Sequence, residues 1–260
     1  QAAAAAGAER LVFAGSIAAL APDPGGRPLT EGAATLEDVA YARSKALGEA
    51  LLAECAGDLP WVTIRMGGVF TDWCELPPLF SLIRTWRRPG PLGRLMPGRG
   101  GAGFPYIRRG EVLAMIRRVV EGRHRLPSRE TLFAAPEGGT LQRELYPLIR
   151  GAGGRRVEPW IPVPARLLRV LLHLTAIQGQ LRRRVVYERP WMADYVDRPL
   201  RVDTAYTRRR LGWAPAPANH ILARLPVIMD RCRRQPEVWL ARNLRRNRGL
   251  YAFQAGDEEA

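Results

Sequence analysis

The sequence contains few lysine, serine and cysteine residues. Of its 40 basic residues 39 are arginines and only Lys45 is a lysine, and serine occurs four times. The three cysteines, Cys55, Cys74 and Cys232, lie far apart and form no CxxC pair. This spacing argues against both a disulfide framework and a zinc ribbon. We therefore expect the protein to work in a reducing compartment and assign it to the cytoplasm.

The sequence also lacks a long hydrophobic run and a set of metal ligands. Its most apolar run, residues 167–177, is interrupted by Arg169 and His173 and is shorter than the roughly 20 residues that a membrane-spanning helix requires. The first ten residues show neither the charged region nor the long apolar region of a secretory signal. His124, His173 and His220 each lack a second ligand at metal-binding spacing. The sequence therefore predicts no transmembrane segment, no signal peptide and no metal.

The overall composition is that of a globular protein. The 260 residues are 47% hydrophobic and 25% charged, which argues against a disordered chain. Residues 10–15 and 61–70 are short apolar runs typical of buried strands, and residues 37–56 show apolar side chains at helical spacing. A strand, a helix and a strand in this order predict a βαβ unit with a parallel sheet. We therefore expect an α/β fold.

Apolar periodicity, together with glycine and proline at the ends of segments, predicts further elements along the chain. They are a helix at 79–88, a strand and a helix over 104–122 with a turn at Gly110, a strand at 131–136, a helix at 141–150 with Thr140 as its N-cap, a helix at 164–184, an extended linker at 190–199 and a short helix that ends in LGWAP.

Tyr41 and Lys45 form the residue pair with the clearest chemical use. They lie four residues apart on a predicted helix and therefore project from the same face. A phenol is a poor acid or base at neutral pH because its ordinary pKa is about 10, and a nearby cation favours the phenolate. Such a pair is often only a surface contact. We nevertheless favour a catalytic pair, because the lone lysine of an arginine-rich chain supplies a compact ammonium that guanidinium cannot replace.

The motifs around this pair resemble a known enzyme family. Residues 41–45 (YARSK) have the YxxxK pattern, Ser16 ends the preceding strand in FAGSIAA, and Glu49 follows as in KxxxE. RMGGVF ends the next strand, and PYIRRGEVLAMI and RRLGWAP follow in order. Over residues 8 to about 215 the chain resembles an extended short-chain dehydrogenase/reductase of the NAD-dependent epimerase/dehydratase family.

The resemblance implies a fold and a role for each matching residue. The implied fold is the C-terminal part of a Rossmann-like doubly wound parallel sheet with a smaller, mostly helical substrate domain. Tyr41 would be the catalytic acid/base, Lys45 would favour its phenolate and bind the nicotinamide ribose, and Ser16 would bond the reacting substrate oxygen. Glu111 would have a structural role in capping a helix. The cofactor-binding residues would be Tyr41, Lys45, Met66, Gly67, Gly68 and Val69.

The implied activity is that of an oxidoreductase or epimerase that transfers a hydride between NAD or NADP and a secondary alcohol or ketone. Residues 1–140 would form the C-terminal portion of the NAD(P)-binding domain, with a substrate-side insertion at about 72–105. Residues 141–260 would form the substrate domain and a basic helical C-terminus. The identity of the small-molecule substrate and the choice between NAD and NADP stay open, and so does a homodimer.

The sequence departs from the family in its phosphate-binding loop. The family's GxxGxxG turn is absent, since the glycine-rich runs at 98–103 and 151–154 do not join a strand to a helix. Met66 stands where the family has proline, and Leu-Ala stands where Tyr-Gly follows the serine. We therefore expect this chain to lack the N-terminal dinucleotide-binding half of the family and to be inactive by itself.

The net charge of +15 gives the second candidate function. Arginine clusters lie in the C-terminal third, at 182–184, 208–210, 231–234 and 242–248. A basic surface can bind phosphates, RNA or an anionic membrane. No nucleic-acid-binding motif accompanies the arginines, so nucleic acid is not favoured as a partner and a solvated face is the simpler interpretation. The alternative is a catalytically lapsed protein of the same fold that binds RNA or a protein through its basic C-terminal surface.

Overall fold

The computed structural model describes residues 2–36, 39–181 and 188–255, with the backbone alone at 180 and 246–255. The strands are β1 (Leu11–Ser16), β2 (Trp61–Met66), β3 (Gly68–Phe70), β4 (Leu95–Pro97), β5 (Gly103–Phe104), β6 (Tyr106–Arg108), β7 (Arg129–Ala134), β8 (Thr140–Leu141) and β9 (Ile161–Val163). The helices are α1 (Ala2–Ala5), α2 (Ala40–Cys55), α3 (Pro77–Trp86), α4 (Arg109–Glu121), α5 (Gln142–Arg150), α6 (Ala165–Leu181), α7 (Ala205–Leu211), α8 (Ile221–Arg234) and α9 (Pro236–Ala255).

Three parallel strands form a sheet in the order β1, β2, β7. Leu11 pairs with Trp61 and Ser16 pairs with Met66, while Met66 also pairs with Ala134 at the end of β7. Helix α2 connects β1 to β2, which confirms the predicted βαβ unit and the α/β fold. The carboxyl ends of the three strands therefore lie side by side, which is where ligands bind in open parallel sheets.

The chain forms two compact units. Among the described residues, the first unit comprises 1–69, 104–139 and 200–220, and the second comprises 70–103, 140–199 and 221–260. Two segments therefore group differently from the sequence-based division. Residues 200–220 join the first unit, and residues 70–103 join the second.

The first unit has hydrophobic clusters on both faces of its sheet. Leu132 and Phe133 are neighbours on β7 and point to opposite faces, because side chains alternate along a strand. The cluster around Leu132 contains Val62, Ile64, Ile107, Val112, Met115, Val119, Leu126, Ala134 and Trp213. The cluster around Phe133 contains Ile17, Leu20, Leu29, Ala135, Leu200 and Val202.

The second unit is mostly helical. Helix α3 packs on α5 and α9, and α8 packs on α5 and α9. The Trp86 ring meets the Tyr146 ring edge to face at 5.4 Å between centroids, and the Phe80 ring lies 5.1 Å from that of Trp239. Strands β4 and β9 form a short parallel pair in this unit.

The single strand predicted at 61–70 is two strands. The Gly67 N–H donates to the Ala134 carbonyl at 3.0 Å, whereas the Gly68 N–H donates to the Pro105 carbonyl at 2.9 Å. Successive N–H groups thus bond to different neighbours, and the strand breaks between them. A Cβ at Gly67 would lie 2.2 Å from the Pro105 oxygen, so this bend requires glycine.

Two local predictions about helix starts are wrong. Gly110 lies in the first turn of α4 rather than in a separate turn, because the chain passes directly from β6 into the helix. The N-cap of α5 is Leu141, not Thr140. The Glu144 carboxylate accepts a hydrogen bond of 2.7 Å from the Leu141 N–H and so caps the helix from inside its first turn.

The predicted linker at 190–199 contains the 3-10 helix Pro190–Tyr195. Proline suits the first position of a helix because its φ is fixed and it has no N–H to satisfy. The predicted helices at 37–56 and 164–184 correspond to α2 and α6, but residues 37–38 and 182–184 lie outside the described residues. No helix within the described ranges is long and apolar enough to cross a membrane.

Candidate active site

Ser16 ends β1 and is the N-cap of the 3-10 helix Ile17–Ala19. Its Oγ accepts a hydrogen bond of 3.2 Å from the Ala18 N–H. The residue is buried, with 7% of its surface exposed. A hydroxyl donates one hydrogen bond and accepts two, so this capping contact leaves the Ser16 proton for another oxygen.

Helix α2 runs antiparallel to β1 and lies close against it. A Cβ at Gly48 would lie 2.7 Å from the Phe13 ring, so glycine allows the helix its close approach. One turn earlier, the Lys45 ammonium donates to the Ala14 carbonyl at 3.3 Å. Tyr41 lies a further turn toward the start of α2, the direction in which β1 approaches its carboxyl end.

Tyr41 and Lys45 make few hydrogen bonds to the described residues. The Lys45 Nζ lies 6.0 Å from the centroid of the Tyr41 ring, and Tyr41 is 49% exposed. Among the described residues, no hydrogen bond involves the Tyr41 hydroxyl. An ammonium has three donors, so the bond to Ala14 leaves two for a ligand.

Glu49, one turn after Lys45, forms a buried ion pair with Arg65 of β2. The Arg65 Nη2 lies 2.6 Å from Glu49 Oε2, and the two side chains are only 10% and 14% exposed. The Arg65 Nε also donates to Glu49 Oε1 at 3.0 Å, and its Nη1 donates to the Glu31 carbonyl at 2.9 Å. This pair fixes α2 on the sheet and thereby positions Tyr41 and Lys45.

The same network continues to α7 through Glu31. The Thr207 hydroxyl donates to Glu31 Oε1 at 2.7 Å and accepts from the Phe133 N–H at 2.8 Å. Sequence reasoning missed both Glu31 and Thr207. They lie 176 positions apart, and no local pattern signals such a contact.

Met66 ends β2 beside the ends of β1 and β7, and Gly67, Gly68 and Val69 follow it. The N–H groups of Gly67 and Gly68 are already bonded within the unit, and Val69 packs against the core. These two backbone donors are therefore occupied within the unit.

A cleft of about 470 Å³ lies elsewhere on the first unit, and none of the predicted site residues lines it. The buried Glu130 at its wall accepts from the Tyr206 hydroxyl at 2.8 Å and pairs with Arg210 at 3.0 Å. This carboxylate is thus already paired within the unit. Across the described part of the chain, no group of three or more His, Cys, Asp and Glu side chains could hold a metal ion.

The glycine-rich run at 98–103 binds a carboxylate of its own unit. The N–H groups of Arg99 and Gly101 donate to Asp197 at 2.9 and 2.7 Å. The run follows β4 and the run at 151–154 follows α5, so the structure places neither between a strand and a helix. Neither is a phosphate-binding loop of the Rossmann type.

The predicted capping role of Glu111 is wrong. Glu111 lies in the first turn of α4 but accepts hydrogen bonds from the Ala216 N–H and the Asn219 amide instead. The N-cap, Arg108, has no side-chain cap. Because residues 216–219 follow LGWAP, Glu111 ties this C-terminal segment to the first turn of α4.

The two buried cysteines, Cys74 and Cys232, are not activated nucleophiles. Burial raises the pKa of the Cys74 thiol to about 12, so it is protonated at neutral pH. Burial also raises the pKa of Cys232, against the effect of nearby Arg87.

Many arginines of the predicted basic clusters are paired. Arg210 pairs with Glu130, Arg233 and Arg234 pair with Asp230, and Arg242 pairs with Glu75. These contacts neutralise part of the basic charge within each unit. The cluster at 182–184 and the side chains of 246–248 lie outside the described residues.

Comparison with known proteins gives matches among solved structures. No protein-family model matches the chain, and no curated protein sequence matches it. UDP-glucose 4-epimerase of Thermus thermophilus, solved with NAD, is similar with a TM-score of 0.59 and 17% identity over 90% of this chain and 67% of that one. UDP-glucose 4-epimerase of Thermotoga maritima, solved with UDP-glucose, is similar with a TM-score of 0.61 and 16% identity over 90% and 67%.

A third similar structure is dTDP-glucose 4,6-dehydratase of Bacillus anthracis, solved with NAD, with a TM-score of 0.63 and 12% identity over 90% of this chain and 64% of that one. The chain thus spans about two thirds of the length of these structures. At such low identity the likeness shows the fold alone. The chain has a Rossmann-like α/β fold.

Proposed function

We propose that this chain carries the catalytic residues of an NAD(P)-dependent oxidoreductase or epimerase that acts at a secondary alcohol or ketone. The observation that supports the proposal is the position of Tyr41 and Lys45. They share one face of α2, and the Lys45 ammonium bonds to the Ala14 carbonyl of β1, the strand that ends at Ser16. Active sites of open parallel sheets lie at this end of the strands.

Each of the three side chains has a role that its contacts permit. The Tyr41 hydroxyl, exposed and without a partner among the described residues, would exchange a proton with the substrate oxygen. The Lys45 ammonium would stabilise the phenolate through its charge. The Ser16 hydroxyl would donate its proton to the same substrate oxygen and orient it.

The residues fit part of a nicotinamide dinucleotide. When bound, the nicotinamide ring accepts and returns a hydride. Lys45 has two unused donors, which suit the hydroxyl groups of a ribose. The described residues contain no glycine-rich turn that would hold the pyrophosphate at a helix N-terminus. Two of the similar epimerase and dehydratase structures hold NAD, which supports this cofactor class and leaves NAD and NADP as alternatives.

The test uses the protein expressed from its complete reading frame. UDP-glucose, UDP-glucuronic acid and dTDP-glucose, which similar proteins bind or act on, form the first substrate panel, with NAD and NADP tested separately. We expect Tyr41→Phe to lower turnover by about 10²- to 10⁴-fold, because only proton transfer loses its group. The affinity for the dinucleotide, measured by calorimetry, should change by less than about twofold.

Tyr206→Phe is the matched control, since it removes a phenol of the same unit outside the proposed site and should leave turnover within about threefold. Lys45→Arg should impair turnover, because a planar guanidinium does not reproduce a compact ammonium. Near-normal turnover of Tyr41→Phe would overturn the assignment of the base. A wild-type protein that binds neither dinucleotide would favour the catalytically lapsed alternative.

A further inference from the structure

Two loops of the second unit, residues 87–94 and 151–160, lie side by side where strands β4 and β9 begin. We call them the paired loops. The two strands pair in parallel, so Arg94 and Trp160, which come just before them, are neighbours. The Arg94 Nε also donates to the Pro159 carbonyl at 2.9 Å, and this hydrogen bond joins one loop to the other.

Arg150, at the end of α5, holds both loops in place. Its Nη1 donates to the Trp86 and Arg88 carbonyls at 3.0 and 3.1 Å, and its Nη2 donates to the Glu158 carboxylate at 2.6 Å. The Tyr146 hydroxyl, also on α5, donates to the Glu158 carbonyl at 3.0 Å. The paired loops are therefore fixed relative to each other, and their exposed side chains belong to one surface.

The paired loops expose apolar side chains. Leu92, Val157 and Trp160 expose 60%, 43% and 38% of their surface. Leu92 lies in the uncharged segment PGPLG of the first loop. The Trp160 ring meets the Tyr146 ring edge to face at 5.8 Å between centroids, which fixes its position. Tryptophan is enriched at the boundary between lipid and water.

The unpaired charge on the paired loops is of one sign. Arg88, Arg155 and Arg156 are exposed and have no carboxylate partner within the described part of the chain. The sequence has no acidic residue between Glu75 and Glu111, a stretch that includes the whole first loop.

Two carboxylates close to the loops are already bound by arginines. Glu158, in the second loop, binds the arginine at the end of α5. Asp230 of α8 pairs with Arg233 and Arg234 at 3.0 and 2.8 Å. Arg233 lies beside the second loop, since a Cβ at Gly153 would be 3.6 Å from its Cδ. The surface therefore carries an excess of positive charge.

We propose that the paired loops dock this protein on an anionic lipid surface, with their apolar side chains inserted and their arginines on the lipid phosphates. Arginine suits phosphate because its planar guanidinium presents several donors. Nucleic acid would use the arginines and an aromatic ring but not aliphatic side chains such as Leu92 and Val157. Charge complementarity excludes a basic partner. This property does not depend on the proposed enzyme activity.

Vesicle flotation tests the proposal with the protein from its complete reading frame. Vesicles of equal parts phosphatidylglycerol and phosphatidylcholine should bind the protein at least about tenfold more tightly than vesicles of phosphatidylcholine alone. The double variant Arg155→Gln, Arg156→Gln should weaken binding to the anionic vesicles by about 25-fold, because each basic residue near such a surface contributes about fivefold. The double variant Leu92→Gln, Val157→Gln should weaken it by about fivefold or more, because apolar contact is lost.

The matched controls change α4 of the first unit. Arg117→Gln, Arg118→Gln removes the same charge from two adjacent exposed arginines. Leu113→Gln, Val120→Gln changes a leucine and a valine that are 59% and 48% exposed. Both controls should bind the anionic vesicles within about threefold of the wild type. All four variants should melt within a few degrees of the wild type, because the changed side chains are exposed.

Equal losses in the two arginine variants would overturn the proposal, since net charge alone would then attract the protein. So would equal binding to both vesicle types, or unchanged binding of the Leu92 and Val157 variant. Binding to a single-stranded RNA but not to the anionic vesicles would also overturn it, because the occupant would then be nucleic acid.

Discussion

Helix α2 takes part in two polar pairs of opposite character, one within the helix and one, a turn later, with Arg65 of β2. Tyr41 is exposed and Lys45 is half-buried. Of the two, Lys45 makes a hydrogen bond to the rest of the described unit, to the Ala14 carbonyl. Arg65 is buried, Glu49 is largely buried, and several hydrogen bonds join them. A buried charge without its partner is costly, so loss of either member of the second pair should destabilise the unit. An exposed pair contributes little to stability.

This difference separates the residues that hold the helix from those available for chemistry. The Arg65 guanidinium donates to the Glu49 carboxylate and to the Glu31 carbonyl. The fold therefore determines the position of this side chain. Lys45 has two ammonium N–H groups that make no hydrogen bond within the described residues. The Tyr41 hydroxyl makes no hydrogen bond to any described residue. Substitution of Glu49 should consequently lower the stability more than substitution of Tyr41. Substitution of Tyr41 or Lys45 should lower the proposed activity with little loss of stability.

The largest effect on stability is expected at Glu49. Glu49→Ala leaves the Arg65 guanidinium buried without its carboxylate, and we expect the free energy of unfolding to fall by about 3–5 kcal/mol. Urea denaturation followed by tryptophan fluorescence measures this change. Glu54→Ala, an exposed glutamate on the same helix, is the control and should change the free energy by less than about 0.5 kcal/mol. Equal effects at the two positions would show that the ion pair does not anchor α2.

A smaller loss is expected at Gly15, where β1 passes beneath the ion pair. A Cβ there would lie 2.8 Å from Glu49 Oε1 and 2.9 Å from the Thr63 methyl. We expect Gly15→Ala to lower the free energy of unfolding by about 1–3 kcal/mol, because it overpacks this contact. Gly110→Ala is the matched control, since nothing lies within 4 Å of its Cβ position and alanine favours the helix. Its protein should be as stable as the wild type or slightly more stable.

The sequence predicted those parts of the site that rest on local pattern. Strands β1 and β2 and helix α2 follow from short apolar runs and helical periodicity, and Tyr41 and Lys45 share a face because they are four residues apart. The break at Gly67 was missed, because it depends on Pro105, which lies 38 positions away in the chain. The ion pair of Glu49 with Arg65 brings together residues 16 apart on different elements.

Residues 200–220 group with the first unit through contacts that are likewise distant in the chain. Val202 forms bridges with Leu29 and Gly138, which lie far away in the chain. Periodicity likewise identified α6 as a helix and showed where its apolar side chains lie. It does not say which of these side chains will be covered, because burial depends on the elements that pack against the helix.

The smallest effect on stability is expected at Tyr41. Tyr41→Phe removes a hydroxyl without a described partner from a half-exposed ring, so the free energy of unfolding should change by less than about 0.5 kcal/mol. The same urea titrations measure it beside Glu49→Ala. A loss above about 1 kcal/mol would mean that the hydroxyl makes a structural hydrogen bond. A stable Tyr41→Phe protein with lowered turnover would instead place this phenol in the chemistry, because a residue that only holds the fold cannot lose activity while it keeps stability.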